Sequence, residues 1–300
     1  MIMKLSRIAT AFLLASTLAS TAASAADLTG TLKKIKDSGT MTLGYRESSV
    51  PFSYLQADGT PTGYGYEVCN AIADAVKKEL NMPDLKVVYQ PVTSANRIPL
   101  IQNGTVDIEC GSTTNSKKRQ EQASFGTNYF GIQVTAAVWK DGPVKTLKDL
   151  DGKNVAVTSG TTSVELLGRF EKENGIKLRL LKTKDFAEAM KLVANKRADA
   201  FVIDDVLLAG QIATLPNPSD FTIIDASLST EPYAPMFRKD DTAFKALVDK
   251  TITGMIKDGS LAKLYSKWFE QPIPPKNVNL NFPMNKVTKE LFANPNSDGI

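Results

Sequence analysis

The 300-residue chain contains no histidine. That absence removes a Ser-His-Asp triad, a Cys-His pair and every His-ligated zinc centre. Only two cysteines are present, Cys69 and Cys110, too few for a four-thiolate site, so neither a metal nor a cofactor is expected. An excess of charge is also missing: the net charge is only +4, and no basic run carries interleaved aromatics. Nucleic acid is therefore not an expected partner. Beyond residue 26 no apolar stretch approaches the roughly 18 residues of a membrane span. What remains is ordinary for a soluble globular chain, 42% apolar and 23% charged. Its length is too great for one compact core and suggests two lobes.

The first 26 residues have the form of a signal peptide. Lys4 and Arg7 precede the short apolar run Ile8 to Leu18, and Ala23-Ser24-Ala25-Ala26 supplies a small-residue cleavage site. Cleavage is expected near Ala25 or Ala26, leaving an exported, soluble product. In an oxidising compartment an even pair of cysteines favours a Cys69–Cys110 disulfide over two unrelated buried thiols.

Strands and helices then alternate. Thr40 to Arg46 reads as a strand followed by a Gly- and Pro-containing loop to Gly65. Glu67 to Leu80 has helical periodicity, with Val68, Ile72, Ala75 and Val76 on one face. Leu85 to Gln90 is a strand. Pro99 fits a first helical turn, which makes Asn96 the N-cap and places Arg97 at the helix start. Val106 to Cys110 is the next strand. The pairs Asn154–Val157 with Thr162–Lys172, Leu178–Leu181 with Asp185–Ala194, and Ala200–Ile203 with Asp204–Ala213 continue the alternation. This pattern predicts an α/β fold of mostly parallel sheets covered on both faces. Thr242 to Phe269 reads as two amphipathic helices, and the last thirty residues as an extended strap with a frayed end.

Small polar and charged residues gather where strands lead into helices, the edge at which open α/β sheets bind ligands. Arg46 to Ser49 follow the first strand; Ser94 and Arg97 follow another; Gly111 to Thr114, with Arg119, follow Cys110; Thr158 to Thr162 and Asp204-Asp205 do the same in the second half. Free backbone N–H groups at helix starts and guanidinium forks both favour carboxylates. The junctions predict a small anionic or zwitterionic ligand.

Three segments, Arg46-Glu-Ser-Ser-Val-Pro-Phe-Ser-Tyr54, Asn96-Arg-Ile-Pro-Leu-Ile-Gln-Asn-Gly104 and Glu109-Cys-Gly-Ser-Thr-Thr-Asn115, resemble motifs of the periplasmic glutamate/aspartate-binding proteins of ABC importers, a branch of the polar-amino-acid solute-binding family. Thr158-Ser-Gly-Thr-Thr-Ser163, Asp204-Asp-Val-Leu-Leu-Ala-Gly210 and Trp268-Phe-Glu-Gln-Pro-Ile-Pro-Pro275 extend the resemblance from about Leu32 to the C-terminal segment. It implies a type II periplasmic-binding-protein-like fold with two lobes and two crossing hinge strands, near Asn128 to Val138 and Pro232 to Arg238. Lobe 1 would comprise residues 27–130 and 231–300, with the C-terminal extension, and lobe 2 residues 131–230.

Position by position, the resemblance has Arg119 clamp an α-carboxylate with help from Thr114 and Thr162. The α-ammonium would meet Asp204, the Ser112 carbonyl and the Thr114 hydroxyl. Arg46, Ser94 and Arg97 would hold a side-chain carboxylate. Three arginines and one aspartate answer the two carboxylates and one ammonium of glutamate, and spare guanidinium charge should reject neutral amino acids. The pattern departs at Lys184-Asp185-Phe186, where members of this branch often carry a histidine in the position of Phe186. Phenylalanine donates no hydrogen bond but can stack on a guanidinium. Glutamine or asparagine is accordingly the leading alternative ligand. The implied partner is a membrane permease, the implied location the periplasm and the implied state a monomer. The rivals are a periplasmic dehydratase on the same fold, with Glu47 or Asp205 as general acid, and a detached sensory subunit. Tyr45, Phe52, Tyr54 and Tyr64 read as either pocket lining or ordinary core.

Overall fold

The computed structural model describes residues 28–300, so the signal peptide expected over residues 1–26 lies outside the described residues. Two sheets organise the chain. The first runs in the order Lys86–Pro91, Thr40–Tyr45, Ile108–Glu109, Met236–Phe237, Ser124–Phe125. Its first three strands are parallel, and Met236–Phe237 is antiparallel to both neighbours. In the second sheet Arg179–Thr183, Asn154–Thr158 and Ala200–Asp204 are parallel, while the ten-residue strand Phe130–Trp139 runs antiparallel beside them. The parallel strands are connected through helices such as Tyr64–Glu79, Thr162–Asn174 and Phe186–Ala194, as the alternation predicts. Among the described residues no helix is long and apolar enough to cross a membrane.

The chain passes between the sheets twice. It leaves the first sheet at Ser124–Phe125, enters the second through Phe130–Trp139, and returns through Ser229–Tyr233 to Met236–Phe237. The two crossing strands pair antiparallel, Phe130 opposite Tyr233 and Val134 opposite Ser229. The architecture is the type II two-lobed binding-protein fold.

An aromatic cluster anchors this crossing. Phe130 lies with its ring centroid 4.9 Å from Phe52, 4.8 Å from Phe269 and 5.4 Å from Tyr265, and Phe52 is 5.2 Å from Tyr233. Such contacts contribute about 0.5–1.5 kcal/mol each beyond burial. Phe52 and Tyr64 are thus core residues, and Tyr54 packs on Trp268 and donates its hydroxyl to the Pro274 carbonyl at 2.7 Å. None of these three lines the ligand cavity described below, nor does Tyr45.

Three expectations need correction. The segment read as a loop up to Gly65 holds a small antiparallel sheet, Ser48–Ser49, Ser53–Leu55 and Pro61–Thr62, whose strands are too short to show periodicity. Asn96 occupies the N-cap position of the helix Arg97–Gln102, as expected, but makes no capping bond, because its side chain accepts from the Thr93 N–H at 2.7 Å instead. The C-terminal strap is not frayed. It contains the helix Lys286–Ala293, capped by Asn285, and its Thr288 accepts from the Gly131 N–H at 3.0 Å, directly on the first crossing strand. The Ile300 carbonyl accepts from the Lys117 N–H at 2.9 Å, so the chain end is held at the start of the helix Lys117–Gln120.

Cys69 and Cys110 are joined in a disulfide, their Cα atoms 5.5 Å apart. It ties the helix Tyr64–Glu79 to the segment that carries Ser112 and Thr114.

Candidate functional site

The carboxyl ends of the strands in both sheets face one cleft. Arg46 follows Thr40–Tyr45 and is buried; its Nη2 donates to Ser94 Oγ at 2.9 Å. Arg97 opens its helix, also buried, and its Nη1 donates to the Ser112 carbonyl at 3.3 Å. Arg119 donates from Nη1 to the Thr114 carbonyl at 3.0 Å and from Nη2, across the cleft, to the Gly160 carbonyl at 3.1 Å. From the second lobe come Thr162, the first residue of its helix, Phe186, and Asp204 at the end of Ala200–Asp204. The guanidinium carbon of Arg46 lies 4.9 Å from the centre of the Phe186 ring. A small cavity, about 10 Å³ in this closed conformation, is lined by Arg97, Ser112, Thr114, Arg119, Thr161, Thr162, Phe186, Ile203 and Asp204. Arg46 and Ser94 do not line it; Arg46 is joined to it through its contact with the Phe186 ring. A larger open hollow of about 790 Å³ lies around Trp139, Lys140 and Lys196 and is lined by none of these arginines, so size alone does not mark the site.

The sequence therefore brings together Arg46, Ser94, Arg97, Ser112, Thr114, Arg119, Thr162, Phe186 and Asp204. Neither Glu47 nor Asp205 lines this cavity. Asp205 turns its Oδ1 to the N–H groups of Gln133 and Val206, and burial raises its carboxyl to about 6.

Seven buried side-chain polar atoms have no hydrogen-bond partner among the described residues, and five of them belong to this cleft: Arg46 Nη1, Arg97 Nε, Ser112 Oγ, Asp204 Oδ1 and Glu231 Oε1. Buried polar atoms are nearly always paired, so their convergence indicates a polar guest. Burial and mutual repulsion set the electrostatics. Arg46 is lowered to about 10 by burial and then by Arg97; Arg119 is lowered to about 10 for the same two reasons; burial also lowers Arg97. Asp204 is raised to about 8, by burial first and by Glu231 second. An anion near the arginines and a cation near Asp204 would relieve both strains.

Two carboxylates escaped the sequence reading. Glu109, fully buried, accepts from the Gly111 N–H at 2.8 Å and from the Thr113 hydroxyl, and its charge favours the charged forms of Arg46 and Arg97. Glu231, on the second crossing strand, accepts at Oε2 from Thr114 Oγ1 at 2.7 Å and Thr162 Oγ1 at 2.8 Å. The balance of three arginines against one aspartate is thus incomplete: three buried carboxyl groups surround the three guanidinium groups. An acid inside an otherwise apolar strand was the available signal at Glu109.

Several contacts join the lobes in this conformation. Gln211 Nε2 donates to the Ser48 carbonyl at 2.6 Å, and Lys118 pairs with Glu165 at 2.5 Å. A Cβ on Gly160, whose φ is +80°, would stand 2.5 Å from the Ser94 carbonyl oxygen, and one on Gly210 would stand 2.2 Å from that of Val50. Both positions need the bare backbone so that the lobes can meet.

Comparisons with known proteins agree with this geometry. Residues 41–271 match the family described as bacterial extracellular solute-binding proteins, family 3. The L-glutamate/L-aspartate-binding protein of Pseudomonas aeruginosa is 48% identical over 270 residues, covering 90% of this chain and 89% of that protein. The glutamate/aspartate import solute-binding protein of Escherichia coli K12 is 45% identical with the same coverage. Among solved structures, an ancestral amino-acid-binding protein described as a precursor of cyclohexadienyl dehydratase is similar with a TM-score of 0.68 at 31% identity, covering 80% of this chain and 99% of its own. On the fold, the cleft and these likenesses together, the chain belongs to the bacterial extracellular solute-binding proteins of family 3.

Proposed function

We propose that the protein captures an acidic amino acid, glutamate or aspartate, by closing its two lobes on it, and delivers it in the periplasm, as a monomer, to the membrane permease of an ABC importer. The observation that carries this reading is the convergence of the buried Arg97 and Arg119 guanidinium groups and Asp204 on one small cavity, with the buried Arg46 stacked on Phe186 of its lining. In it Arg119 holds the α-carboxylate; Asp204, the Ser112 carbonyl and the Thr114 hydroxyl receive the α-ammonium; Arg46, Ser94 and Arg97 hold the side-chain carboxylate. Hydrogen bonds to charged groups contribute about 1.5–3 kcal/mol each, and a buried charge left unpaired costs more. The names of the relatives from P. aeruginosa and E. coli support the choice of an acidic ligand.

The lobes divide near residues 130 and 230. Because groups from both lobes meet the ligand, it favours the closed form by its difference in affinity for closed over open. A second reading has specific support: Phe186 offers Arg46 a ring rather than a donor, and Glu109 already answers part of the charge of Arg46 and Arg97. Those features suit glutamine or asparagine. Calorimetric titration of unfolded-and-refolded protein, freed of carried-over ligand, with each of the twenty amino acids separates the two. Glutamate and aspartate are expected to bind most tightly; an equal or greater affinity for the amides overturns the acidic reading.

A further inference from the structure

The hydroxyl protons of Thr114 and Thr162 point away from the cavity. Both are donated to one oxygen, Oε2 of Glu231, at 2.7 and 2.8 Å. Glu231 comes from neither ligand-binding loop but from the second crossing strand, and it is almost wholly buried. The strand is held against the Thr114 segment by its backbone: the Asn115 N–H donates to the Pro232 carbonyl at 2.8 Å, the Ala234 N–H to the Thr113 carbonyl at 3.3 Å, and Thr114 bridges to Tyr233. Two residues along, on the same face of the strand, Tyr233 donates its hydroxyl to Asp204 Oδ2. One face of one hinge strand thus arranges a threonine from each lobe and the aspartate between them.

We propose that Glu231 is a positioning residue that makes this cleft select an α-ammonium, by fixing the Thr114 and Thr162 hydroxyls as acceptors. A hydroxyl has one proton to donate, and an ionised carboxylate only accepts. Once Thr114 and Thr162 have given theirs to Glu231, what they show the cavity is lone pairs. A carboxylate cannot bond to those hydroxyls; an ammonium, with three N–H donors, can. The α-carboxylate is then left to Arg119 and to backbone N–H groups at the start of Thr162–Asn174, which lack partners within the helix. Charge works in the same direction. Asp204 faces Glu231 and Asp205 as like charges and Arg119 as an opposite one, and Tyr233 is its hydrogen-bond donor. Two buried carboxylates with one unpartnered oxygen each, Asp204 Oδ1 and Glu231 Oε1, call for a cation between the lobes. This inference rests on the amino-acid-binding reading above and adds the group that selects the amino function.

The test compares L-glutamate with 2-hydroxyglutarate, which keeps both carboxylates and replaces the ammonium with a hydroxyl. Both affinities are measured by calorimetry on the wild-type protein and on Glu231→Gln, a variant of the same shape without the charge. The expected result is that the preference for glutamate over 2-hydroxyglutarate falls about tenfold or more in the variant, through loss of glutamate binding. Thr114→Val, which removes one of the two hydroxyls at constant shape, is expected to lower the same ratio and serves if Glu231→Gln does not fold. A ratio unchanged within about threefold in the folded variants, whether both affinities fall or neither does, assigns Glu231 a structural role and overturns the proposal. Failure of the wild-type protein to bind glutamate at all would instead overturn the reading of the cleft on which it rests.

Discussion

The Arg46 guanidinium carbon lies 4.9 Å above the centre of the Phe186 ring. The two residues come from different lobes, and both are buried, so the contact exists only when the cleft is shut. A desolvated stack of this kind contributes about 2 kcal/mol, yet it satisfies none of the guanidinium N–H groups, and Arg46 Nη1 has no partner. Phe186→His, which adds a donor next to Arg46, is expected to tighten glutamate and aspartate relative to glutamine. Titration of the three ligands against both proteins checks this; weaker binding of all three would make the ring a structural part of the pocket.

Arg97→Ala separates side-chain recognition from α-group recognition. Arg97 Nε is buried without a partner and its Nη1 reaches only the Ser112 carbonyl. Glutamate is expected to lose roughly 10- to 150-fold in affinity, the equivalent of one charged hydrogen bond, and glutamine much less. Equal losses would argue against a role at the side chain.

The alternation of strands and helices was legible because each strand–helix pair carries its own period and its own buried face, as Val68, Ile72 and Val76 illustrate in Tyr64–Glu79. The arginines were legible through their place at strand ends. Glu109 and Glu231 were not, since a buried carboxylate is made tolerable by partners distant in sequence. Thr114 and Thr162 lie 117 and 69 residues from Glu231. The C-terminal helix Lys286–Ala293 was hidden for a similar reason. It is short and only Thr288 is fully buried in it, so its stability comes from Gly131 and the crossing strand more than from its own pattern.

Gly210→Ala tests closure without touching the ligand. The added Cβ would stand 2.2 Å from the Val50 carbonyl oxygen, so the lobes cannot meet as they do here. Apparent affinity scales with the fraction able to close. Glutamate and glutamine are expected to lose about tenfold or more by the same factor, with their ratio preserved. A changed ratio would place Gly210 in ligand recognition.

In the ligand-free protein Asp204 is raised to about 8 by burial and by Glu231. A carboxyl held above its unfolded value near 4 keeps its proton in the folded state while the unfolded chain releases it. Its contribution to stability is full below about pH 4 and is lost as the pH rises to about 8, at up to about 1.4 kcal/mol per unit. The melting temperature of the ligand-free protein should therefore fall as the pH rises from about 5 to about 8, and the fall should shrink in Asp204→Asn. Asp205, raised to about 6, contributes with the same sign in both proteins. An identical slope in the variant would contradict the assignment.

Reduction of the Cys69–Cys110 bond opens a loop with a sequence separation of 41. Chain entropy alone predicts a loss of about 4 kcal/mol in stability. Chemical denaturation with and without reductant measures it, and an unchanged midpoint would leave the bond without a stabilising role.

The central claim is that an extra carboxylate on the guest neutralises Arg46 and Arg97 inside the closed cleft. A crystal structure of the refolded protein with L-glutamate tests it most directly. The side-chain carboxylate is expected within hydrogen-bond distance of both guanidinium groups and the α-carboxylate on Arg119. Density for a bound amino acid with Arg46 and Arg97 turned away from it would contradict the account.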